Sequence, residues 1–315
     1  MSDGRAAPEE FLERIRAEKA IEQKYERGKL KIFLGYVAGT GKTYAMLEMA
    51  HVLKKEGIDV VAGYIEPHDR PDTVKMMEGI EQLPFKMVEY KGHKFREFDL
   101  DAALLRKPKV ILVDELAHTN VPGCRHEKRY QDIEELLDHG INVYTTVNIQ
   151  HLESLNDVVE NITGVEVKER IPDSVFDGAD QVKMVDIEPE ELILRMKEGK
   201  IYRKTQSARA LNNFFKKNKL TALREMALRR MADRVNMIAE QENKACGDMN
   251  ISPEEHVMVC ISPSPVNGKV IRKAARLANS LHANFTALYI ENVVLQNMTS
   301  KNKRQRDANI KLARK

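Results

Sequence analysis

The feature that most constrains the fold is a glycine-rich segment that joins a short apolar run to a helical one. Leu30–Leu34 is the apolar run, Lys42–Lys55 has apolar residues at helical spacing, and the sequence GYVAGTGKT (35–43) lies where they meet. Glycines let the backbone curl so that successive N–H groups point at phosphate oxygens, and a helix N-terminus adds partial positive charge. The segment predicts a strand, a Walker-type phosphate-binding loop (P-loop) and a helix.

The side chains of this loop suit a nucleotide that is bound with a divalent cation. Lys42 can reach the β- and γ-phosphates of ATP, and the Thr43 hydroxyl can ligate Mg²⁺. We predict that ATP is bound by Gly35, Gly39, Thr40, Gly41, Lys42 and Thr43. The pattern G-x-x-x-x-G-K-[ST] would have its first glycine at position 36, where this chain has Tyr36. The alternative is a glycine-rich turn with a chance Lys-Thr pair.

A second motif, VILVDE (110–115), has the form of a buried strand that ends in two carboxylates. A carboxylate in this place can lie beside a phosphate loop, so we predict that Asp114 binds Mg²⁺ together with Thr43. Glu115 follows directly and could orient or deprotonate an attacking group, so Asp114 and Glu115 are the predicted catalytic residues. The alternative is an exposed acidic turn, which the upstream phosphate loop makes the less favoured interpretation.

Polar loops follow this strand and the next one, at the strand ends where ligands bind in parallel sheets. The first loop, residues 116–126, is rich in hydrogen-bonding groups, and we predict that Arg125 contacts phosphate. The second, residues 145–151, contains Asn148, which we predict to face the γ-phosphate or a bound water. Asn148 could instead cap the helix that follows, and the histidines of the first loop could be structural.

Strands and helices alternate along most of the chain, which predicts an α/β fold with a doubly wound, mostly parallel sheet. We expect an N-terminal helix over 1–28, the P-loop nucleotide-binding domain over 29–205, a helical linker over 206–250 and a smaller domain over 251–315. The smaller domain contains one βαβ unit. A single unit cannot form a complete sheet, so we predict that this domain is truncated, swapped or completed by a partner.

Charge is distributed unevenly along the 315 residues. The formal net charge is +3, but residues 195–234 contain 13 Lys or Arg against 3 Asp or Glu, a net charge of +10. Such a segment could attract nucleic acid or anionic lipid, and the alternative is a solvated helical face or linker. Because no recognition helix, RNA-binding motif or zinc pattern accompanies the charge, we expect no nucleic-acid partner.

Composition also disfavours membrane-spanning and secreted proteins. No apolar stretch is long enough to span a bilayer, and the N-terminus lacks the apolar segment of a secretory signal. Cys124, Cys246 and Cys260 are scattered and form neither a disulfide framework nor a zinc-site spacing. We expect a cytoplasmic location, or the cytoplasmic face of a membrane if the chain is part of a longer protein.

Three stretches, GTGKTYAMLEMA, LVDELAHTNVPG and TTVNIQHLESLND, together resemble one family closely. They are similar to the N-terminal cytoplasmic region of KdpD, a family of potassium-responsive sensor histidine kinases, over about residues 28–250. The resemblance implies that residues 256–315 begin a universal-stress-protein-like (USP-like) domain, and that transmembrane helices and a kinase core follow in full-length members. The implied partners are those membrane and kinase domains, or a separate kinase or pump component. Without a phosphoacceptor-histidine box here, histidine autophosphorylation is not implied for these residues.

A further pattern is Ser262-Pro263-Ser264, then residues 265–284, then FTALY (285–289). It is similar to the SxS-x20-FTAxY arrangement of KdpD proteins that bind cyclic di-AMP. The resemblance implies a cyclic di-AMP site made by Ser262, Ser264, Phe285, Thr286, Ala287 and Tyr289. Hydroxyl groups suit phosphate, and two aromatic rings four residues apart on a strand suit adenine stacking. The alternative is a turn and a core strand. Because cyclic di-AMP is two-fold symmetric, the resemblance favours a homodimer through this domain.

Two functions remain open at this point. In the first, the chain is a regulatory module that binds ATP with Mg²⁺, and cyclic di-AMP, and biases a kinase that reports low potassium. In the second, it is a P-loop ATPase or serine kinase, in which Lys42, Thr43 and Asp114, with Glu115 as base, transfer the γ-phosphoryl group to water or to a serine of a partner.

Overall fold

The computed structural model describes residues 27–66, 70–199, 201, 215–245, 256–281, 283–290 and 298–314. All but the last two residues of the predicted N-terminal helix lie outside this part of the chain. So do residues 202–214 and 246–255, which contain the two later domain boundaries. The four domain ranges therefore stay predictions.

The described residues up to 201 alternate between strands and helices, as the sequence predicts. The strands are β1 (Leu30–Gly35), β2 (Val60–Tyr64), β3 (Glu81–Gln82), β4 (Lys86–Tyr90), β5 (His93–Glu97), β6 (Val110–Val113), β7 (Asn142–Asn148) and β8 (Gln181–Met184). The helices are α1 (Lys42–Lys55), α2 (Pro71–Met77), α3 (Leu100–Arg106), α4 (Arg129–Asp138), α5 (Asn156–Thr163), α6 (Asp173–Asp177) and α7 (Pro189–Lys197). Two short 3-10 turns, Ile149–His151 and Glu153–Leu155, connect β7 to α5.

Six of these strands form one sheet in the order β3-β2-β6-β7-β1-β8. β2 pairs in parallel with β3 and β6, and β6 pairs in parallel with β7. All four residues of β6 are buried, as expected of a strand that is covered on both faces. The prediction of an α/β fold built on a parallel sheet is confirmed.

β4 and β5 form a separate antiparallel hairpin, in which Lys86 pairs with Glu97. The turn residues Lys91 and Gly92 have φ values of 52° and 77°. Two consecutive positive φ angles are typical of the type I′ turns that join antiparallel strands. The sequence analysis does not predict this hairpin, because its turn begins with lysine instead of the usual asparagine or aspartate.

The remaining elements are α8 (Lys217–Ala245), β9 (His256–Cys260), α9 (Asn267–Ser280), β10 (Asn284–Leu288) and α10 (Ser300–Ala313). β9 and β10 pair in parallel and are joined by α9, which is the predicted βαβ unit. Their core is a small cluster of Val259, Ile261 and Ile271, against which Phe285 and Tyr289 pack.

Contacts group the described residues into two units. The first contains the residues up to Ile32, Thr43–Thr146 and Ala179–Val182. The second contains Phe33–Lys42, Val147–Gly178 and the described residues from Lys183 onward.

Candidate functional site

The phosphate loop lies in the second unit and has the curled backbone that its glycines predict. Gly39 and Gly41 have φ values of 91° and 95°, which residues with a side chain rarely adopt. Gly35 needs its small size for a different reason, because a Cβ there would lie 2.4 Å from the Thr40 hydroxyl oxygen and 2.9 Å from Lys42 Cδ. The loop is therefore folded tightly on its own side chains.

The lysine of the loop is buried and held inside the curl. Lys42 Nζ donates a hydrogen bond to the Val37 carbonyl oxygen at 3.2 Å, and the Thr40 hydroxyl donates to the same oxygen at 3.3 Å. Only 9% of Lys42 is exposed. A buried ammonium group among backbone dipoles is a strong attractor for an anion.

Tyr36, which stands where the usual motif has glycine, turns its side chain into the protein core. The residue is fully buried, and its hydroxyl donates to the Ile187 carbonyl oxygen at 3.0 Å. Burial raises the pKa of this phenol above its usual range. Tyrosine in place of glycine at this position therefore attaches the loop, through a buried hydrogen bond, to the segment that follows β8.

The metal-binding pair predicted from the sequence is brought together in the first unit. The Thr43 hydroxyl donates to Asp114 Oδ2 at 3.0 Å. The other carboxylate oxygen, Asp114 Oδ1, accepts from the Thr146 hydroxyl and, at 3.1 Å, from the Glu115 N–H. Asp114 is 2% exposed, so it is a buried carboxylate fixed by several donors.

Glu115 adopts a backbone conformation that is unusual for its residue type. Its φ is 59°, in the left-handed region, and its N–H also donates to the Thr146 hydroxyl oxygen at 3.3 Å. Such conformations cost about 1–3 kcal/mol and are concentrated at functional sites. The Glu115 side chain is 37% exposed, so its carboxylate remains accessible to solvent.

A buried arginine at the start of α4 lies behind these two carboxylates. Arg129 is fully buried; one of its nitrogens donates to the Asp114 carbonyl oxygen at 3.2 Å and lies 3.7 Å from Glu115 Oε2. Another donates to Glu97 Oε2 at 3.1 Å, and the guanidinium lies 4.0 Å from the centre of the Tyr64 ring.

Glu97, at the end of the hairpin, is the main partner of this arginine. Burial alone would raise the pKa of Glu97, but the His118 ring, the Val121 N–H and the Arg129 charge outweigh it and hold the pKa below its usual range. Burial and the adjacent arginine have opposite effects on the Tyr64 phenol, and burial dominates, raising its pKa to about 12.

Arg125 and Asn148, the two residues of the polar loops that are predicted to lie near the phosphates, have different environments. Arg125 is 43% exposed and pairs with Asp101 and Glu135, so a contact with phosphate stays a prediction. Asn148 is at the N-cap position of a 3-10 turn, but its side chain makes no capping hydrogen bond, and its Oδ1 is buried with no hydrogen-bond partner among the described residues. Its amide oxygen is therefore an acceptor that a bound water or hydroxyl could satisfy.

In the C-terminal βαβ unit, Ser262 and Ser264 lie on an exposed loop. Side chains from two helices form hydrogen bonds with the backbone of this loop. The Ser262 N–H donates to Asn267 Oδ1 at 2.8 Å. The Asn309 side chain, on α10, donates to the carbonyl oxygens of Ser262 and Ser264 at 2.9 and 3.0 Å. Both hydroxyls are on exposed residues, so they are accessible to a ligand.

The aromatic half of this pattern lies on β10 and directly after it. Phe285, Ala287 and Tyr289 pack against the Val259 cluster, and the Thr286 hydroxyl lies 2.6 Å from His256 Nε2. Phe285 and Tyr289 remain partly exposed. The rings thus contribute to packing while keeping accessible surface, and their role toward cyclic di-AMP stays a prediction.

Much of the basic segment is neutralised within the second unit. Arg224 pairs with Asp186 and Glu188, and Arg230, 4% exposed, pairs with Asp177 at 2.5 Å. Arg234 donates to backbone carbonyl oxygens of Phe176 and Asp177. The basic side chains in the described part of this segment therefore contribute to the packing of α8.

The described residues contain neither a cluster of metal-ligating side chains nor a membrane-spanning helix. No group of three or more His, Cys, Asp or Glu side chains in this part of the chain could hold a metal ion. Mg²⁺ at a phosphate loop does not need one, because a hydroxyl, one carboxylate, water and the nucleotide supply its ligands. None of the described helices combines the length and apolar character needed to cross a membrane.

Comparison with known proteins agrees with the resemblance seen in the motifs. A family profile described as "KdpD: Osmosensitive K+ channel His kinase sensor domain" matches residues 26–235. Proteins named "Sensor protein KdpD" from Clostridium acetobutylicum and Escherichia coli K12 are 57% and 50% identical, over 86% and 88% of this chain but 30% and 31% of their own length. A "Putative sensor protein KdpD" from Synechocystis sp. is 46% identical over 84% of this chain and 71% of its own length.

Proposed function

The chain belongs to the KdpD sensor-domain family, and from that premise we propose that it is the nucleotide-binding regulatory region of a potassium-responsive sensor kinase. It spans about 30% of the length of the first two relatives, and the membrane and kinase domains that the family resemblance implies are its proposed partners. Its action would be to bias their activity according to the ligands that it binds, at the cytoplasmic face of the membrane.

The first proposed ligand is ATP with Mg²⁺. The observation that carries this proposal is the hydrogen bond of the Thr43 hydroxyl to the buried Asp114 carboxylate, directly after a curled loop that ends in Lys42. Backbone N–H groups of Gly39 and Gly41, with the Lys42 ammonium, would bind the phosphates. Thr43 and Asp114 would hold Mg²⁺, which would neutralise phosphate charge.

Isothermal titration with ATP and Mg²⁺ tests this proposal. We expect Lys42→Ala to weaken ATP binding at least tenfold, since it removes the ammonium group proposed to reach the β- and γ-phosphates. Lys55→Ala, which changes an exposed lysine at the other end of the same helix, is the matched control. Equal affinities for the two variants would contradict an ATP site at this loop.

The second proposed ligand is cyclic di-AMP at the C-terminal unit. The fixed backbone and exposed hydroxyls of Ser262 and Ser264, together with the partly exposed rings of Phe285 and Tyr289, support it. Titration of wild type, Ser264→Ala and Phe285→Ala with cyclic di-AMP is the test, with Ser280→Ala, an exposed serine at the end of α9, as control. Loss of binding in Ser280→Ala as well, or no binding by the wild type, would count against this site.

A second candidate function, phosphoryl transfer, is favoured by the left-handed Glu115 at the end of β6. In this reaction the oxygen of water, or of a partner's serine, bonds to the γ-phosphorus while its proton passes to the Glu115 carboxylate. The bond between that phosphorus and the β–γ bridging oxygen breaks and leaves ADP. Glu115→Gln should lower phosphate release or partner labelling about a hundredfold, to a residual rate that can still be measured, while ATP binding survives.

A further inference from the structure

The fully buried Arg129 occupies a place in the fold where a positive charge is unfavourable. It is the first residue of α4, and a helix N-terminus carries partial positive charge that repels cations. A buried cation also loses its hydration, so it persists only with close acceptors. Neighbouring groups must therefore compensate for the charge of Arg129. The arginine must also have a role at this position that outweighs the cost of burying it.

Glu97 provides part of that compensation and fixes the arginine in place. Its carboxylate accepts from Arg129 at 3.1 Å, from the His118 ring and, at 3.0 Å, from the Val121 N–H. With only 2% of Glu97 exposed, this arrangement is almost completely shielded from solvent. One edge of the guanidinium is thereby held, and its other edge is directed at the end of β6.

That other edge contacts both the backbone and the side chain of the carboxylate pair. One nitrogen bonds the Asp114 carbonyl oxygen, at the peptide that leads into the left-handed Glu115, and lies 3.7 Å from Glu115 Oε2. A single cation thus acts on the conformation of Glu115 and on the direction of its carboxylate.

We propose that Arg129 is a positioning residue that aims the Glu115 carboxylate for phosphoryl transfer, and that Glu97 holds Arg129 for this task. The inference rests on the proposed phosphoryl-transfer function of the same site. Arg129 itself touches neither nucleotide nor metal in this account, and it acts only through Glu115. Lysine in its place would keep the charge but could not bond Glu97 and Asp114 at once, because it lacks the planar fork.

The test is a double-mutant cycle on ATP turnover by the full chain, with Mg²⁺-dependent ATP binding measured in parallel. Arg129→Lys should lower kcat about tenfold with KM changed less than about twofold, since it removes an interaction that matters only during the reaction. In a Glu115→Gln background the same substitution should cause no further loss, because the group that it aims is gone.

Arg230→Lys is the matched control, since Arg230 is also buried, ion-paired and stacked on an aromatic ring. The effects of Arg230→Lys and Glu115→Gln on kcat should be independent of each other. If Arg129→Lys does not fold, Glu97→Gln replaces it and should show the same pattern with a smaller loss of kcat.

Three results would overturn the inference: equal losses in the two backgrounds, a loss that appears in KM, or no turnover by a wild type that binds Mg²⁺-ATP. The last of these leaves the proposed nucleotide-binding function intact. Failure of the wild type to bind Mg²⁺-ATP would instead contradict the proposed function itself, and the inference with it.

Discussion

The two candidate ligand sites differ in how their side chains are held. Around β6, Asp114 and Arg129 are buried, at 2% and 0% exposed, and each takes part in several hydrogen bonds. In the C-terminal unit, Ser262 and Ser264 are exposed, and the sheet beneath them has two strands and a three-residue buried core. The first site is preorganised, whereas the second exposes large apolar residues such as Met258 and Ile290, at 59% and 62%.

The difference in preorganisation and exposure indicates what each site requires in order to bind its ligand. Preorganised polar groups lose little entropy on binding, so the nucleotide site should bind its ligand alone. A two-stranded sheet is marginal by itself, and exposed apolar surface of this kind is typical of an interface. The C-terminal site should therefore gain affinity when a second copy or the rest of a longer protein covers it.

Removal of the buried charge should have the largest effect. Arg129→Ala leaves Glu97 buried without its charge partner and should lower the free energy of unfolding by about 3–5 kcal/mol. Arg306→Ala, the matched change in the C-terminal unit, should leave it nearly unchanged, because its pair with Asp307 is at the surface. Urea unfolding measures both. Similar losses of unfolding free energy in Arg129→Ala and Arg306→Ala would contradict the proposed difference between the two regions.

Cavities of similar size should separate the two cores by a smaller amount. Leu112→Ala, in the centre of β6, should cost about 4 kcal/mol, because the packed sheet cannot collapse around the gap. Ile271→Ala should cost only about 2 kcal/mol, since its cluster is small and lies near solvent. Calorimetric unfolding checks this, and the reverse order would show that the C-terminal unit is the more tightly packed.

The pH dependence of stability offers a sharper probe of the first region. Burial raises the pKa of Asp132, on α4, to about 6, partly opposed by the hydrogen bond from Asn120. Above pH 6 this carboxylate is charged at a cost of about 2–3 kcal/mol, and below pH 4 the cost disappears, so its contribution to stability falls as pH rises.

Asp132→Asn removes that charge, so the variant should gain stability relative to wild type as pH rises from 4 to 7. Urea unfolding at several pH values measures the difference, and Asp138→Asn, an exposed aspartate in the last turn of the same helix, is the control. A difference that is constant with pH would contradict the assignment.

The smallest effect is expected at the exposed serine loop. Ser264→Ala removes only a 3.4 Å bond to the Val266 N–H and should change the free energy of unfolding by less than about 0.5 kcal/mol. Loss of cyclic di-AMP binding in this variant would then report a lost contact with the ligand. A large loss of stability would show that the loop has a structural role like that of the first site.

The sequence predicts those parts of the molecule that depend on local pattern. The positive φ of Gly39 and Gly41 and the meeting of Thr43 with Asp114 follow from a strand, a glycine loop and a second parallel strand. The pairing of Arg129 with Glu97 does not, because it joins positions 32 residues apart through a hairpin with an uncommon turn. An arginine at the first position of a helix was the available signal, since the helix dipole disfavours it there.

The magnesium–nucleotide site is tested by the effect of Mg²⁺ on ATP affinity in wild type, Thr43→Val and Asp114→Asn. We predict that Mg²⁺ tightens ATP binding by wild type at least tenfold, since Thr43 and Asp114 would hold the ion beside the phosphates. Both variants should lose most of that gain and keep the affinity measured without Mg²⁺. An equal response to Mg²⁺ in all three proteins would contradict a magnesium–nucleotide site built on Thr43 and Asp114.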